Sequence, residues 1–243
     1  MNLSSILPIA FALAVTAFGQ AGFKPPEGPV PRTADGKPDL SGVWQRPYVP
    51  DLTKDGPNQK GMAELPFTEW GAQQWKNYHA EEGDYAGACL PFGLPRSINS
   101  PEPMQVTQGP KYVAFLFEQN TWYHVFPVDG REHRKLSPTW FGDSVGHWEG
   151  DTLVVDTVNF NGHTRLDTIG HPHSDQLHMI QRFTRTDLGH IAYEMTIDDP
   201  KTFTRPWKNT RTFTLRTDWE LMEYSCEENN KSLWEGRIKV PKY

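Results

Sequence analysis

Apolar and polar residues alternate along several short segments in the second half of the chain. In residues 190–197, Ile191, Tyr193 and Met195 alternate with polar or small residues. Because successive side chains of a β-strand point to opposite faces, this pattern predicts a strand with one apolar face. Similar segments recur between turn-forming residues, and we predict strands at residues 39–45, 104–108, 111–118, 121–128, 141–148, 152–160, 177–186, 190–197, 211–216 and 220–225.

Only residues 68–82 show a convincing helical pattern. Trp70, Gln74 and Tyr78 recur at helical spacing, and Thr68 is a suitable N-cap residue. Many short antiparallel strands with a single helix favour a sheet that closes on itself, since closure removes unpaired strand edges. The sequence therefore predicts a mainly β fold, a single antiparallel β-barrel of meander type with one accessory helix.

The N-terminal segment is predicted to lie outside this fold. Residues 6–18 are almost entirely apolar and are followed by small residues and a proline-rich stretch. An apolar run of this length is too short to span a bilayer and is typical of a secretory signal peptide. We predict a signal peptide at residues 1–21, a Pro-rich arm at residues 22–38 and the barrel domain at residues 39–243. The mature protein is expected to be exported, to the periplasm or outside the cell, without a membrane span.

The cysteine count and the charge narrow the picture further. The 243 residues include only two cysteines, Cys89 and Cys226, which we predict to form a disulfide in an oxidising compartment. The net charge is −6, whereas nucleic-acid binding requires an excess of basic residues, so we do not expect a nucleic-acid partner. The expected partner is a small molecule. Aromatic residues make up 12 % of the chain and either fill the core or line a pocket for a ring-shaped ligand.

Residues 161–178 concentrate side chains that bind metals or move protons near neutral pH. This segment holds four of the nine histidines of the chain. His171 and His173 flank a proline, and His178 is the second residue of the next predicted strand. If His178 points inward, the three histidines predict a site for a divalent transition metal such as Zn, Fe, Cu or Mn. The alternative is that residues 171–173 form a solvated loop and that His178 is a hydrogen-bonded strand residue.

The same segment supplies acid–base chemistry without a metal. Asp175 lies two residues after His173, and a neighbouring carboxylate fixes the tautomer of an imidazole and raises its basicity. We therefore predict His173, Asp175 and His178 as catalytic residues. The alternative is that Asp175 merely caps a turn before the strand.

Four further residues are candidates for ligand binding. Arg182 shares a strand face with His178, and Glu194 lies on the polar face of the strand expected to pair with it. Arg205 and Trp207 suit the mouth of a barrel, where an arginine pairs with an anionic group and a tryptophan stacks on a ring. The alternative for Arg205 and Trp207 is that they lie in an ordinary loop without a ligand. The alternative for the strand face that carries His178 and Arg182 is that it is a solvated outer surface.

Four segments are distinctive when they are taken together: DGKPDLSGVW at 35–44, SVGHWEGDTLVV at 144–155, HPHSD at 171–175 and TIDDPK at 196–201. Through them the chain resembles a family of exported bacterial proteins of unassigned function, over nearly all of its mature length. This resemblance implies a single exported β-rich domain and no particular catalytic residue. Residues 42–44 and 217–219 are also similar to the Gly-x-Trp strand and the Thr-Asp-aromatic turn of lipocalin-like (calycin) barrels, which implies the barrel class.

The sequence therefore predicts an exported enzyme that acts on a small ring-containing molecule. The chemistry expected is acid–base or metal-assisted water chemistry, of hydrolase or lyase type. The alternative is a barrel that binds an apolar or aromatic small molecule without catalysis. That alternative predicts histidines outside the barrel and an interior lined by aromatic residues such as Trp122, Tyr123, Trp148 and Tyr193.

Overall fold

Nine of ten strands follow one another, each antiparallel to its neighbours, around a nearly closed barrel in the computed structural model, which describes residues 22–79, 85–228 and 230–239. The predicted signal peptide lies outside the described residues. The mainly β barrel class is confirmed. The strands are β1 (Gly42–Gln45), β2 (Gln59–Lys60), β3 (Met104–Gln108), β4 (Tyr112–Phe117), β5 (Tyr123–Pro127), β6 (Asp143–Glu149), β7 (Thr152–Val158), β8 (His178–Arg185), β9 (His190–Asp198) and β10 (Trp207–Leu215).

The strand order around the barrel is β5-β4-β3-β1-β10-β9-β8-β7-β6. The first strand therefore lies between β3 and β10, and the short β2 pairs with the first half of β10. The ends of this order meet where His124 Nε2 on β5 lies 2.7 Å from Ser144 Oγ on β6. A backbone bond of 3.0 Å from Gly130 N to Gly146 O supports the same junction. Side-chain and loop contacts thus hold the barrel together where the regular ladder ends.

The strand predicted at residues 220–225 is wrong. In the structure β10 runs from Trp207 to Leu215 and pairs with β9 along one edge. Its other edge is taken by β2 and β1. No edge of β10 is left for another strand, so the chain leaves the barrel after Leu215 and residues 220–225 are irregular.

The accessory helix, α1, spans Glu69–Lys76, and Thr68 caps it by accepting a hydrogen bond of 3.1 Å from Gly71 N. The helix ends at Lys76 with Asn77 as its C-cap, so the predicted helix at residues 68–82 is too long: residues 77–79 are not helical, and residues 80–82 lie outside the described residues. Two short helices were not predicted: α2 (Gly93–Ser97) and α3 (Lys231–Trp234). Among the residues described, no helix has the length and apolar character needed to cross a membrane.

The barrel interior is filled by aromatic side chains that pack on one another. The ring centroid of Phe115 lies 5.2 Å from that of Phe126 and 5.2 Å from that of Phe183. Tyr193 stacks on Phe213 with ring centroids 4.9 Å apart. Such packing is the usual state of a protein core. The interior therefore serves as the hydrophobic core of the fold.

Two buried arginines connect the barrel to α2. Arg46 Nη1 donates to Ser97 O at 2.5 Å, and Arg211 Nη1 donates to Ile98 O at 3.4 Å. Burial lowers the pKa of Arg46 to about 9 and that of Arg211 to about 10. The carbonyl groups at the C-terminal end of α2 are good partners for cations, because that end of a helix carries partial negative charge.

The disulfide between Cys89 and Cys226 is confirmed, with the two Cα atoms 5.5 Å apart. It joins positions separated by 137 residues and ties the segment after β10 to the loop before α2.

Candidate functional site

The most organised polar group in the histidine-rich segment is formed by Asp167 and His171. The Asp167 carboxylate accepts hydrogen bonds from three backbone groups: Leu52 N at 2.9 Å, and Gly170 N and His171 N at 3.1 Å each. His171 Nδ1 lies 2.6 Å from Asp167 Oδ2. The carboxylate is completely buried, so these donors replace the water that it loses on folding.

Local sequence explains why this pair forms. An aspartate side chain readily bonds to backbone N–H groups a few residues further along a turn. The turn needs Gly170, which has a φ of +98° and whose missing side chain leaves room for the ring of Tyr78. A Cβ at this position would lie 1.9 Å from that ring. The turn thus sets His171 four residues after Asp167, with its ring against the carboxylate.

Aromatic residues cover the His171 ring. Trp75 of α1 stacks on it with centroids 4.3 Å apart, and Phe67 lies at 6.3 Å. The imidazole is only 4 % exposed. Because a carboxylate oxygen accepts hydrogen bonds, Nδ1 is the donor in this contact, and Nε2 is the ring nitrogen that Asp167 does not bond. Among the described residues, no group forms a hydrogen bond with His171 Nε2. An imidazole held in this way is suited to take up a proton at Nε2.

Asp51, Asp167 and His171 are of residue types that can ligate metals, and one oxygen or nitrogen atom from each lies within 4.8 Å of those of the other two. Two ligands of one transition-metal ion, at bond lengths of about 2.0–2.2 Å, lie roughly 3 Å or more apart. The separation of 2.6 Å between His171 Nδ1 and Asp167 Oδ2 is shorter than that. The geometry is therefore that of a hydrogen-bonded acid–base pair.

The structure places His173, predicted as catalytic and metal-binding, in the core. Its Nε2 lies 2.6 Å from Thr164 Oγ1, and its Nδ1 lies 3.0 Å from Ser174 O. Burial lowers the pKa of His173 to about 4. This histidine is neutral near pH 7 and connects two parts of the same loop.

Asp175 is not beside His173, although the two are close in sequence. Its side chain is exposed and lies 3.6 Å from Lys201 Nζ. The neighbouring Ser174 turns the other way, because its N and Oγ bond to the buried Asp199 carboxylate at 2.6 and 2.7 Å. Asp199 also accepts a bond of 2.8 Å from Thr202 Oγ1. The carboxylate that organises this turn is thus Asp199.

His178 lies on the outer face of β8. The buried residues of this strand alternate with the partly exposed ones, and His178 and Arg182 belong to the partly exposed set. His178 Nε2 lies 3.0 Å from both carboxylate oxygens of Asp156. The hydrogen bond with Asp156 raises the pKa of His178. The three histidines predicted as one metal site, His171, His173 and His178, therefore have three separate partners.

The residues predicted to bind ligand fall into two groups. Arg182 and Glu194 lie opposite each other on β8 and β9 and line an outer cavity of about 550 Å³. Arg182 pairs with Glu149 at 2.8 Å, and Glu194 pairs with Lys208 at 2.7 Å. The other two are apart from this cavity and differ in exposure: Arg205 is exposed, whereas Trp207 is buried and packs edge-on against Phe203 at 5.5 Å.

Several residues with a place in the site were not assigned from the sequence. Asp167 lies in the histidine-rich segment, and its spacing to Gly170 and His171 was a usable turn signal. Asp51 and Trp75 come from distant parts of the chain and carry no comparable signal. A scan against protein-family models and a search of curated proteins both found no match.

Proposed function

We propose that the protein is an exported enzyme in which Asp167 and His171 perform acid–base chemistry on a small ring-containing molecule. The observation that carries this proposal is the pairing of His171 Nδ1 with a carboxylate that is itself held by three backbone N–H groups. A rigid, oriented imidazole is the usual requirement for a general base.

The proposed reaction step is a proton transfer at His171 Nε2. The lone pair on Nε2 removes a proton from water or from the substrate, which leaves an imidazolium ion. Asp167 stabilises that ion through the hydrogen bond on Nδ1 and keeps the ring in one orientation. The proton then returns from Nε2 to the leaving group, so the reaction is a hydrolysis or an elimination.

The surroundings of His171 support a substrate that contains a ring. Trp75 and Phe67 provide flat apolar surfaces beside the imidazole. Aromatic residues of this kind stack on rings of ligands as well as on one another. Trp75 is partly exposed, whereas the His171 ring that it stacks on is buried.

Export is supported by the disulfide between Cys89 and Cys226. Disulfides persist in oxidising compartments and are rare in the reducing cytosol. This agrees with the signal peptide predicted for residues 1–21.

A screen of small ring-containing esters, lactones, epoxides and glycosides tests the proposal. The wild-type protein is compared with His171→Gln and Asp167→Asn, and with His147→Gln, an exposed histidine elsewhere on the barrel, as the matched control. We expect turnover to fall by about 100-fold or more in His171→Gln, as for other general bases, and to be unchanged in the control. Equal turnover in His171→Gln and wild type would show that this histidine is not the base.

The outer cavity favours a second candidate function, binding without catalysis. It is large enough for a small molecule, and its lining includes Arg182, Glu194 and Thr210. The barrel interior is not the place for that ligand, because packed rings fill it. Tyr193 is inside as the binding alternative expects, whereas Tyr123 is exposed. Saturable binding without turnover, weakened by Arg182→Gln and unaffected by His171→Gln, would favour this function.

A further inference from the structure

Arg211 of β10 is a buried cation that the proposed reaction step does not use. Burial lowers its pKa to about 10, so the guanidinium remains charged near pH 7. Within the described part of the chain its hydrogen bonds go to neutral oxygens, from Nε to Asn209 Oδ1 at 2.8 Å and from Nη1 to Ile98 O at 3.4 Å. Taking a charge out of water is costly unless other groups compensate for the loss. A charge in this place therefore depends on how the groups around it are arranged.

Arg211 fixes the orientation of the Asn209 side chain. A guanidinium group only donates hydrogen bonds, so the oxygen of the Asn209 amide must face it. The amide nitrogen is then left to donate to Leu52 O at 3.3 Å and to Lys60 O at 3.1 Å. Arg211 thus selects the orientation in which Asn209 holds the segment that contains Leu52.

Leu52 joins Asn209 to the acid–base pair. Its carbonyl oxygen accepts from Asn209, and its N–H donates to Asp167 Oδ2 at 2.9 Å. The same carboxylate oxygen lies 2.6 Å from His171 Nδ1. Leu52, Asn209 and Asp167 are each no more than 1 % exposed, so little water is present to replace these bonds. A chain of contacts between buried groups therefore runs from Arg211 to His171.

The Leu52 N–H has a distinct place among the three backbone donors to Asp167. The N–H groups of Gly170 and His171 both bond to Oδ1, whereas that of Leu52 bonds to Oδ2. Oδ2 is the oxygen that faces the imidazole. Leu52 is therefore the backbone donor that fixes the oxygen on which the His171 ring depends.

We propose that Arg211 is a positioning residue for the acid–base pair: it orients Asn209, which fixes Leu52, and the Leu52 N–H holds the Asp167 carboxylate against His171. This inference rests on the proposed function of His171 as a general base. Arg211 acts through its neighbours and takes no part in the proton transfer itself.

The charges of Arg211 and Asp167 support the same coupling. Burial is the main cause of the lowered pKa of Arg211, and Tyr193 and Asp167 oppose it. Burial raises the pKa of Tyr193 to about 12, so Tyr193 is neutral near pH 7 and the opposing charge is that of Asp167. The attraction is mutual, so Arg211 stabilises the ionised carboxylate that accepts from His171 Nδ1.

NMR spectroscopy of the His171 imidazole in the full mature protein tests the proposal without a substrate. A long-range proton–nitrogen correlation spectrum gives the tautomer, and the resonance of the Nδ1 proton reports the hydrogen bond to Asp167. His171→Gln identifies the signals. In Arg211→Met, which removes the charge and the donor to Asn209, we expect the Nδ1 proton resonance to move upfield and signals of the second tautomer to appear. Arg211→Lys keeps a charged donor and should restore the wild-type spectrum.

Arg46→Met is the matched control, because it removes the other buried arginine that contacts the end of α2. The hydrogen bonds of Arg46 go to Ser97 O, Ser100 Oγ and Glu102 O, away from the chain that leads to His171. This variant should therefore keep the wild-type His171 signals. An equal change in Arg46→Met and Arg211→Met would overturn the proposal, because it would show a general loosening of the core.

Asn209→Ala breaks the same chain at its next link and leaves Arg211 in place. It should reproduce the spectrum of Arg211→Met, and it decides the question if Arg211→Met does not fold. Melting curves identify the folded variants. Wild-type His171 signals in the folded variants of Arg211 and Asn209 would overturn the proposal and leave Arg211 with a role in stability alone.

Turnover in the substrate screen separates this inference from the proposed function. Arg211→Met should lower turnover by about 10- to 100-fold, as expected when a catalytic group is misplaced. If the His171 signals change but turnover does not depend on His171, the positioning role stands and the proposed function fails. If turnover depends on His171 but its signals are the same in every variant of the chain, the function stands and the positioning role fails.

Discussion

At the scale of single residues, identical side chains acquire opposite properties from their neighbours. His124 and His173 are buried with hydroxyl partners, and burial lowers the pKa of each to about 4. His178 is partly exposed beside Asp156, which raises its pKa. His171 differs again, because its carboxylate partner lies four residues earlier in the same turn. The histidine content of a segment therefore does not specify which histidine does chemistry.

Because His124 and His173 are buried, we expect the free energy of unfolding to fall in acid. Between pH 6.5 and pH 4 the unfolded chain binds protons at His124 and His173, whereas the folded chain does not. The free energy of unfolding should therefore fall as the pH falls through this range, by roughly 3 kcal/mol for each of the two residues. His178 has the opposite effect, because its pKa is raised in the folded protein. It contributes stability below about pH 6.5, and this contribution is lost as the pH rises through the pKa that His178 has in the folded protein.

Urea unfolding at a series of pH values measures this dependence. We expect His124→Leu to lose about half of the acid sensitivity, because its share of the proton uptake on unfolding is removed. An identical pH dependence in wild type and His124→Leu would contradict this account.

At the scale of elements, the position of α1 decides what covers His171. Thr68 caps this helix and also donates from its hydroxyl to Lys201 O at 2.7 Å. Gly71 sits so close to the turn before β10 that a Cβ there would lie 2.2 Å from Thr202 O. These two contacts place α1 on that turn and bring Trp75 onto the His171 ring.

Thr68→Ala should therefore weaken both the helix and the cover of His171. The expected cost is about 1 kcal/mol in the free energy of unfolding, the usual effect of removing an N-cap side chain. Thr68→Ser keeps the hydroxyl and should be close to wild type. Chemical unfolding gives the stability of each variant. Equal loss in the serine and alanine variants would show that the hydroxyl is not what holds the helix.

At the scale of the whole molecule, one covalent link spans most of the barrel. The disulfide joins Cys89 and Cys226, which enclose every strand from β3 to β10. A cross-link over a loop of this length restricts the unfolded chain much more than the folded one. Cys89→Ala with Cys226→Ala should therefore lower the free energy of unfolding by about 5 kcal/mol according to chain-entropy arguments.

Denaturant unfolding of the oxidised protein, the reduced protein and the double variant tests this expectation. Reduced wild type and the double variant should agree, because both lack the link. No difference between oxidised and reduced protein would mean that the segment after β10 unfolds independently of the barrel.

Much of the fold was predictable because its signals are local. Alternation along β9 and the Thr68 cap depend on residues within one element. The strand predicted at residues 220–225 failed for a reason that lies elsewhere, since both edges of β10 were already paired. Whether a segment becomes a strand depends on a free partner edge, and local alternation does not report one.

The sequence by itself determined the barrel class, because periodicity is a short-range signal, and the pairing of the cysteines, because a chain with two cysteines allows only one disulfide. Tertiary structure alone decided the partners of the histidines. His171 stacks on Trp75, which lies in a helix nearly one hundred residues earlier in the chain. His178 contacts Asp156, which lies on the neighbouring strand. Strand register and loop packing set these contacts, and both depend on the whole chain. The residue types were therefore visible in the sequence, and their grouping was a property of the fold.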